Sequence, residues 1–123
     1  MIQLNYRDAK PIYEQIQDGF RRLIVTDSLS ANEKLPSVRE LAANLAINPN
    51  TISRAYRDLE SKGYIYTVAG KGSFVAQRQE VDDSRKTELL EEFDEVVGEL
   101  LYLSISKSSL VERIEKLEGG KKD

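Results

Sequence analysis

The chain has 123 residues, 40% of them hydrophobic, which suits one ordinary domain with a small extension and not two large cores. It contains no cysteine and no histidine, so disulfides, thiol nucleophiles, imidazole bases and the usual zinc ligand sets are excluded; no catalytic residue, metal site or cofactor is expected. The net charge of −3 is unevenly placed: residues 1–78 carry 11 Lys/Arg against 8 Asp/Glu and residues 79–123 carry 7 against 13. Opposite signs on two segments suggest two jobs, because a field that attracts phosphate has to be local.

The N-terminus shows no basic stretch followed by an apolar run, and nowhere do 18 apolar residues occur together. A cytoplasmic protein with no membrane partner is expected.

From Pro11, apolar residues recur at Ile12, Ile16, Phe20, Leu23 and Ile24, one buried face of a helix ending near Thr26. "TDSLSANEKLP" then reads as a loop closed by Pro36. Ser37 and Glu40 form a capping-box pattern that starts a second helix, whose apolar face is Val38, Leu41, Ala42 and Leu45. Asn48 as N-cap and Pro49 at the first helical position start a third helix almost at once. Its core stripe is Ile52, Ala55, Tyr56 and Leu59, and Gly63 is placed to end it in a left-handed conformation.

Two helices joined by so short a turn form a helix-turn-helix. "YIYTVAGKGSFVA" puts β-formers on either side of a glycine-bearing turn and predicts a hairpin, which makes the motif a winged one.

After the polar stretch "QRQEVDDSRK", helical spacing resumes from about Ser84 with Leu89, Leu90, Phe93, Val96, Val97, Leu100, Leu101 and Leu103. "SISKSS" interrupts it, and Ser109 with Glu112 suggests a new capping box ahead of Leu110, Ile114 and Leu117. The terminal "GGKKD" reads as frayed. The expected fold is mostly α with a small β-hairpin: a winged helix-turn-helix domain over residues 1–78, then a two-helix dimerisation tail over 79–123.

On a helical wheel, the core stripe of the third helix leaves Asn50, Ser53, Arg54 and Arg57 facing away, with Thr51 beside the helix start. Such side chains suit the major groove of double-stranded DNA, where Arg binds guanine bidentately and Asn binds adenine. Periodicity alone leaves a solvated face equally open. Arg39 falls in the first turn of the preceding helix, either on the same surface or in an ion pair with Glu40 or another nearby acid. Ser37, Asn48 and the helix N-termini are candidate phosphate anchors, although caps need no ligand. Gly70, Lys71 and Gly72 would form the wing tip, where small residues allow close approach and a lysine reaches phosphate. "GKG" lacks the spacing of a nucleotide-binding P-loop.

The segments "PIYEQIQDGFRRLI", "LPSVRELAANLAINPNTISRAYRDLESKGYI" and "GKGSFV" resemble the winged helix-turn-helix domain of the GntR family of bacterial transcription regulators, over roughly Pro11 to Ala76. The short tail resembles the YtrA-like subfamily, whose paired helices dimerise. The resemblance implies DNA contact at Arg39, Asn50, Thr51 and Arg54, and a minor-groove approach at Gly70. Many relatives carry a basic residue just before the wing glycine where this chain has Ala69, which implies a weaker wing contribution. The resemblance also implies a place beside ABC-transporter genes.

A tail with this many leucines cannot bury them alone, so Leu89, Phe93, Val96, Val97, Leu100, Leu103, Leu110 and Ile114 are expected to pair in a homodimer. Packing of the tail back on its own winged domain is the alternative. A two-fold dimer presents recognition helices to half-sites one turn apart, ~34 Å, so the expected operator is an inverted repeat, occupied by a repressor. A winged helix that binds a protein or RNA partner is the competing function. A small-molecule effector is left open, at the junction of the winged domain and the tail or between subunits.

Overall fold

The computed structural model describes residues 2–120. In chain order it contains α1 (Ile12–Val25), α2 (Val38–Leu45), α3 (Pro49–Ser61), β1 (Ile65–Val68), β2 (Gly72–Val75), α4 (Arg78–Tyr102) and α5 (Lys107–Gly120). The fold is therefore mostly α with one small hairpin. The chain divides into two compact units, residues 1–86 and 87–123. That division falls within α4.

In the first unit, α1 buries Ile16, Phe20 and Ile24 against α3, whose buried face is the predicted Ile52, Ala55, Tyr56 and Leu59. The Phe20 and Tyr56 rings meet edge to face, with centroids 5.7 Å apart. The Tyr56 hydroxyl donates to the Pro36 carbonyl at 2.7 Å, tying the loop before α2 to α3. Burial, and then the Glu40 charge, push that phenol's pKa up.

The short stop between α2 and α3 is made without glycine. Ala46 adopts φ +55, its N–H bonds to the Ala43 carbonyl at 3.3 Å, and the Ile47 N–H reaches Ala42 at 3.1 Å. A left-handed alanine costs about 1 kcal/mol or slightly more, which the packing of both helices has to offset. At the end of α3, Gly63 takes φ +89 as the sequence predicts, and the Gly63 and Tyr64 N–H groups bond to Glu60 and Leu59.

The hairpin pairs Ile65 with Val75 and Val68 with Gly72 in antiparallel register. The predicted loop before α2 is not free of β structure: Lys34 forms a bridge with Phe74. The Asn32 and Leu35 N–H groups donate to Val75 and Ser73, and Val75 returns a bond to Glu33. Backbone pairing between segments 40 residues apart leaves no periodic trace in so short a stretch, so composition alone reads as a loop.

α4 starts at Arg78 and not near Ser84. Val81 is 1% exposed in the core of the winged unit, and Arg78 donates to the Ile24 and Val25 carbonyls at 2.9 and 2.7 Å. The polar stretch is thus the start of a helix held by one apolar anchor and by a cation at the C-terminus of α1.

In the second unit, Ser104 at φ +71 ends α4, with the Ser104 and Ile105 N–H groups bonded to Leu101 and Leu100. The Ser109 N–H donates to the Ser106 Oγ at 3.1 Å, so the cap is Ser106 and not the predicted Ser109. α5 continues through Gly119 and Gly120; the rest of the "GGKKD" segment lies outside the described residues. No described side chain in this unit is buried. Val97, Leu100 and Leu110 are half-buried, while Leu89, Phe93, Val96, Leu103 and Ile114 are exposed.

Candidate nucleic-acid interface

The start of α2 sets one corner of the site. The Ser37 Oγ accepts from the Glu40 N–H at 3.0 Å and the Glu40 carboxylate accepts from the Ser37 N–H at 3.3 Å, so the predicted capping box is formed. Hydrogen bonding to the Ser37 side chain, and then to its backbone, holds the Glu40 carboxyl below its usual range. Glu40 is therefore engaged with Ser37, and Arg39 has no ion-pair partner among the described residues and is exposed. Its guanidinium is left for another partner.

α2 packs on α3 across the Ala46 turn. The Asn48 Oδ1 accepts from the Asn50 N–H at 2.8 Å, capping α3 as expected. With Ile52, Ala55, Tyr56 and Leu59 inward, the opposite face presents Asn50, Arg54 and Arg57 exposed and Thr51 and Ser53 half-buried. Arg54 does not hang free: its guanidinium carbon lies 3.7 Å from the centroid of the Tyr13 ring in α1. A stacked guanidinium keeps its edge N–H donors available for a base while losing rotamer freedom.

The wing tip is a tight turn. The Lys71 N–H bonds to the Val68 carbonyl at 2.9 Å, and Gly70 sits at φ +75 with open space where a Cβ would be. This is the type II signature, with glycine third in the turn. Gly70 and Lys71 are exposed. Gly72 takes φ +123, and a Cβ there would fall 3.0 Å from the Lys34 Cε. Lys34 thus lies across the base of the wing.

Every predicted DNA-contacting residue belongs to the first unit, on the α2 and α3 starts, the outer face of α3, or the wing. Tyr13 lies against Arg54 and Lys34 against Gly72, neither with a local signal in the sequence. Tyr13 is a half-buried aromatic on an amphipathic helix, and Lys34 is brought to the wing by its bridge to Phe74. Among the described residues no group of three or more His, Cys, Asp or Glu is placed to hold a metal ion, and no helix is long and apolar enough to cross a membrane.

The pattern of bacterial regulatory proteins of the gntR family matches residues 12–75, more than half of the chain. The chain belongs to the GntR family. The matched span runs from the first residue of α1 to the end of the wing, so the family pattern and the winged unit largely coincide.

This GntR-family chain is also 34% identical to the HTH-type transcriptional repressor YtrA of Bacillus subtilis, over all of this chain and 99% of that protein. It superposes with a TM-score of 0.70 on a GntR family transcriptional regulator from Listeria monocytogenes, at 36% identity, covering 89% of this chain and 96% of that one. The DNA-binding domain of AraR, solved in complex with operator ORR3, matches 60% of this chain and 89% of its own at 31% identity and a TM-score of 0.54. The chain is a winged helix-turn-helix transcription regulator with the YtrA-like arrangement of a winged domain and a short helical tail.

Proposed function

We propose that this regulator is a repressor that binds an inverted-repeat operator as a homodimer, with Asn50, Arg54 and Arg57 reading bases and Arg39, Ser37, Asn48, Thr51 and Lys71 engaging phosphate or base edges. The observation that carries the reading is the outer face of α3. It is polar, cationic and exposed, while its inner face supplies four core residues, in a chain similar over its whole length to a repressor. Ser53 borders that face and Gly70 allows the wing to approach a groove.

Dimerisation rests on the second unit, where Leu90 and Leu103 are each 62% exposed and no described side chain is buried. An apolar row of this kind is covered in a stable protein. A second copy covers it and sets two α3 helices at half-site spacing. The division of labour is DNA reading by the winged unit and pairing by the tail.

The test is a fluorescence-anisotropy titration against DNA from upstream of the protein's own gene and of a neighbouring ABC-transporter operon, with a scrambled duplex as control, at several salt concentrations. Tight binding to one natural duplex, weaker binding to the scramble, and a log–log salt slope of about −0.9 per neutralised phosphate are expected. Binding that ignores both salt and sequence would instead fit a protein-binding winged helix.

A further inference from the structure

We propose that Tyr13 is a positioning residue for base recognition: its ring holds the Arg54 guanidinium for bidentate binding of one guanine in each half-site. The inference rests on the proposed reading of DNA by the outer face of α3. Its geometric basis is the distance of 3.7 Å between the Arg54 guanidinium carbon and the centroid of the Tyr13 ring.

The packing of α1 on α3 sets where that ring stands. Tyr13 is half-buried at the second position of α1, and Arg54 is exposed on α3. Ile16 and Phe20, about one and two turns further along α1, are fully buried. Phe20 meets Tyr56 of α3 edge to face at 5.7 Å. The two helices are thus locked beside the stack, and the Tyr13 hydroxyl is tied to the Glu14 carboxylate at 3.2 Å.

An exposed arginine samples many rotamers, and ordering it at an interface costs affinity. A carboxylate would restrain Arg54 by its N–H groups, which are the donors that a base needs. An aromatic ring restrains the guanidinium through its face and leaves the N–H groups of the planar edge available. That planar fork matches O6 and N7 of guanine, whereas a phosphate is served by a point charge of any orientation. Holding the plane of the guanidinium therefore serves base reading more than backbone binding.

The experiment uses the full chain and its tightest-binding natural duplex, with the single-base substitution series of that duplex and a scrambled control. Fluorescence anisotropy compares the wild type with Tyr13→Leu, Tyr13→Phe, Arg54→Ala and the double variant Tyr13→Leu/Arg54→Ala, each shown to be folded by urea unfolding. Tyr13→Leu should bind the natural duplex about two- to fivefold more weakly. It should lose discrimination at the same guanine that Arg54→Ala ceases to read. Binding to the scramble and the salt slope should stay as in the wild type, because no charge has been removed. Tyr13→Phe should keep wild-type discrimination, since it keeps the ring, and Tyr13→Leu should add nothing in the Arg54→Ala background.

A merely structural tyrosine would weaken cognate and scrambled duplexes alike, with or without Arg54, and that result overturns the proposal. So does a Tyr13→Phe variant that loses as much as Tyr13→Leu, since the hydroxyl would then be the acting group. Wild-type discrimination in Tyr13→Leu, beside its loss in Arg54→Ala, overturns the positioning role and leaves the reading by α3 standing. Wild-type binding by Arg54→Ala removes that reading, and the positioning role with it.

Discussion

The Arg54 guanidinium stacks on the Tyr13 ring at 3.7 Å, so α3 and α1 are joined through one cationic contact. The Tyr13 hydroxyl in turn donates to the Glu14 carboxylate at 3.2 Å. The ring orients the arginine, so α1 supports the outer face of α3.

Arg54→Ala is expected to cost ~1 to 3 kcal/mol on the cognate operator and to relax base preference. Tyr13→Leu should cost a smaller ~0.5 to 1 kcal/mol through the lost stack, and Tyr13→Phe should retain most of the affinity. Anisotropy titrations on cognate and single-base variant duplexes give both numbers. Wild-type binding by Arg54→Ala would remove the outer face of α3 from the reading surface.

Val81 is 1% exposed, although it stands in a polar stretch at the start of α4. Its truncation to alanine leaves a hole in the winged unit, and a destabilisation of roughly 2 kcal/mol is expected from lost transfer energy and cavity together. Arg78→Ala should cost a smaller ~1 kcal/mol, because its side chain is 43% exposed and water screens its contacts. Urea unfolding of each variant measures these values. Wild-type stability in Val81→Ala would mean that α4 begins outside the core.

Stability should hold steady from about pH 5.5 to 7, since the chain has no histidine to titrate there. It should then fall in acid. At Glu40, hydrogen bonds from Ser37 lower the pKa from the ordinary 4.5. At Asp18, burial opposes ionisation, but the Lys10 hydrogen bond and the Arg21 and Lys10 charges outweigh it and pull the pKa below 3.8. A carboxylate depressed in the folded state adds stability above its unfolded pKa, and the gain is lost as pH falls through the folded value. Denaturant unfolding from pH 7 to 3 should therefore decline below about pH 4.5, with a shallower decline in Glu40→Gln and in Asp18→Asn. A steep slope between pH 5.5 and 7 would contradict this assignment.

The tail's apolar row sets its own test. Phe93→Glu combined with Val96→Glu places charge on two exposed positions of α4 and should convert a dimer into monomers by light scattering, with the winged unit still folded by circular dichroism. Operator affinity should drop by about tenfold or more, because two half-sites are no longer bound together. A dimer that survives both substitutions would move the interface elsewhere.

Local signals carried most of the winged unit. Ser37 with Glu40, Asn48 with Pro49, and Gly63 each announce a helix boundary through a bond or a φ value made within four residues, and all three are found where the sequence predicts them. The four inward residues of α3 follow from period alone, and the outward face is what remains. Where a partner is distant, no local signal marks it. The bridge of Lys34 to Phe74, the reach of Arg78 to the end of α1, the burial of Val81 and the stack of Arg54 on Tyr13 join residues 40 or more positions apart. Ser106 outcompeted Ser109 as a cap because the turn after Ser104 sets where α5 enters, and only the path of the chain decides that. Capping, turn and period are energies of neighbouring residues and can be read along the chain; ion pairs, stacks and burial are energies of proximity in space, which exist only once the elements have packed.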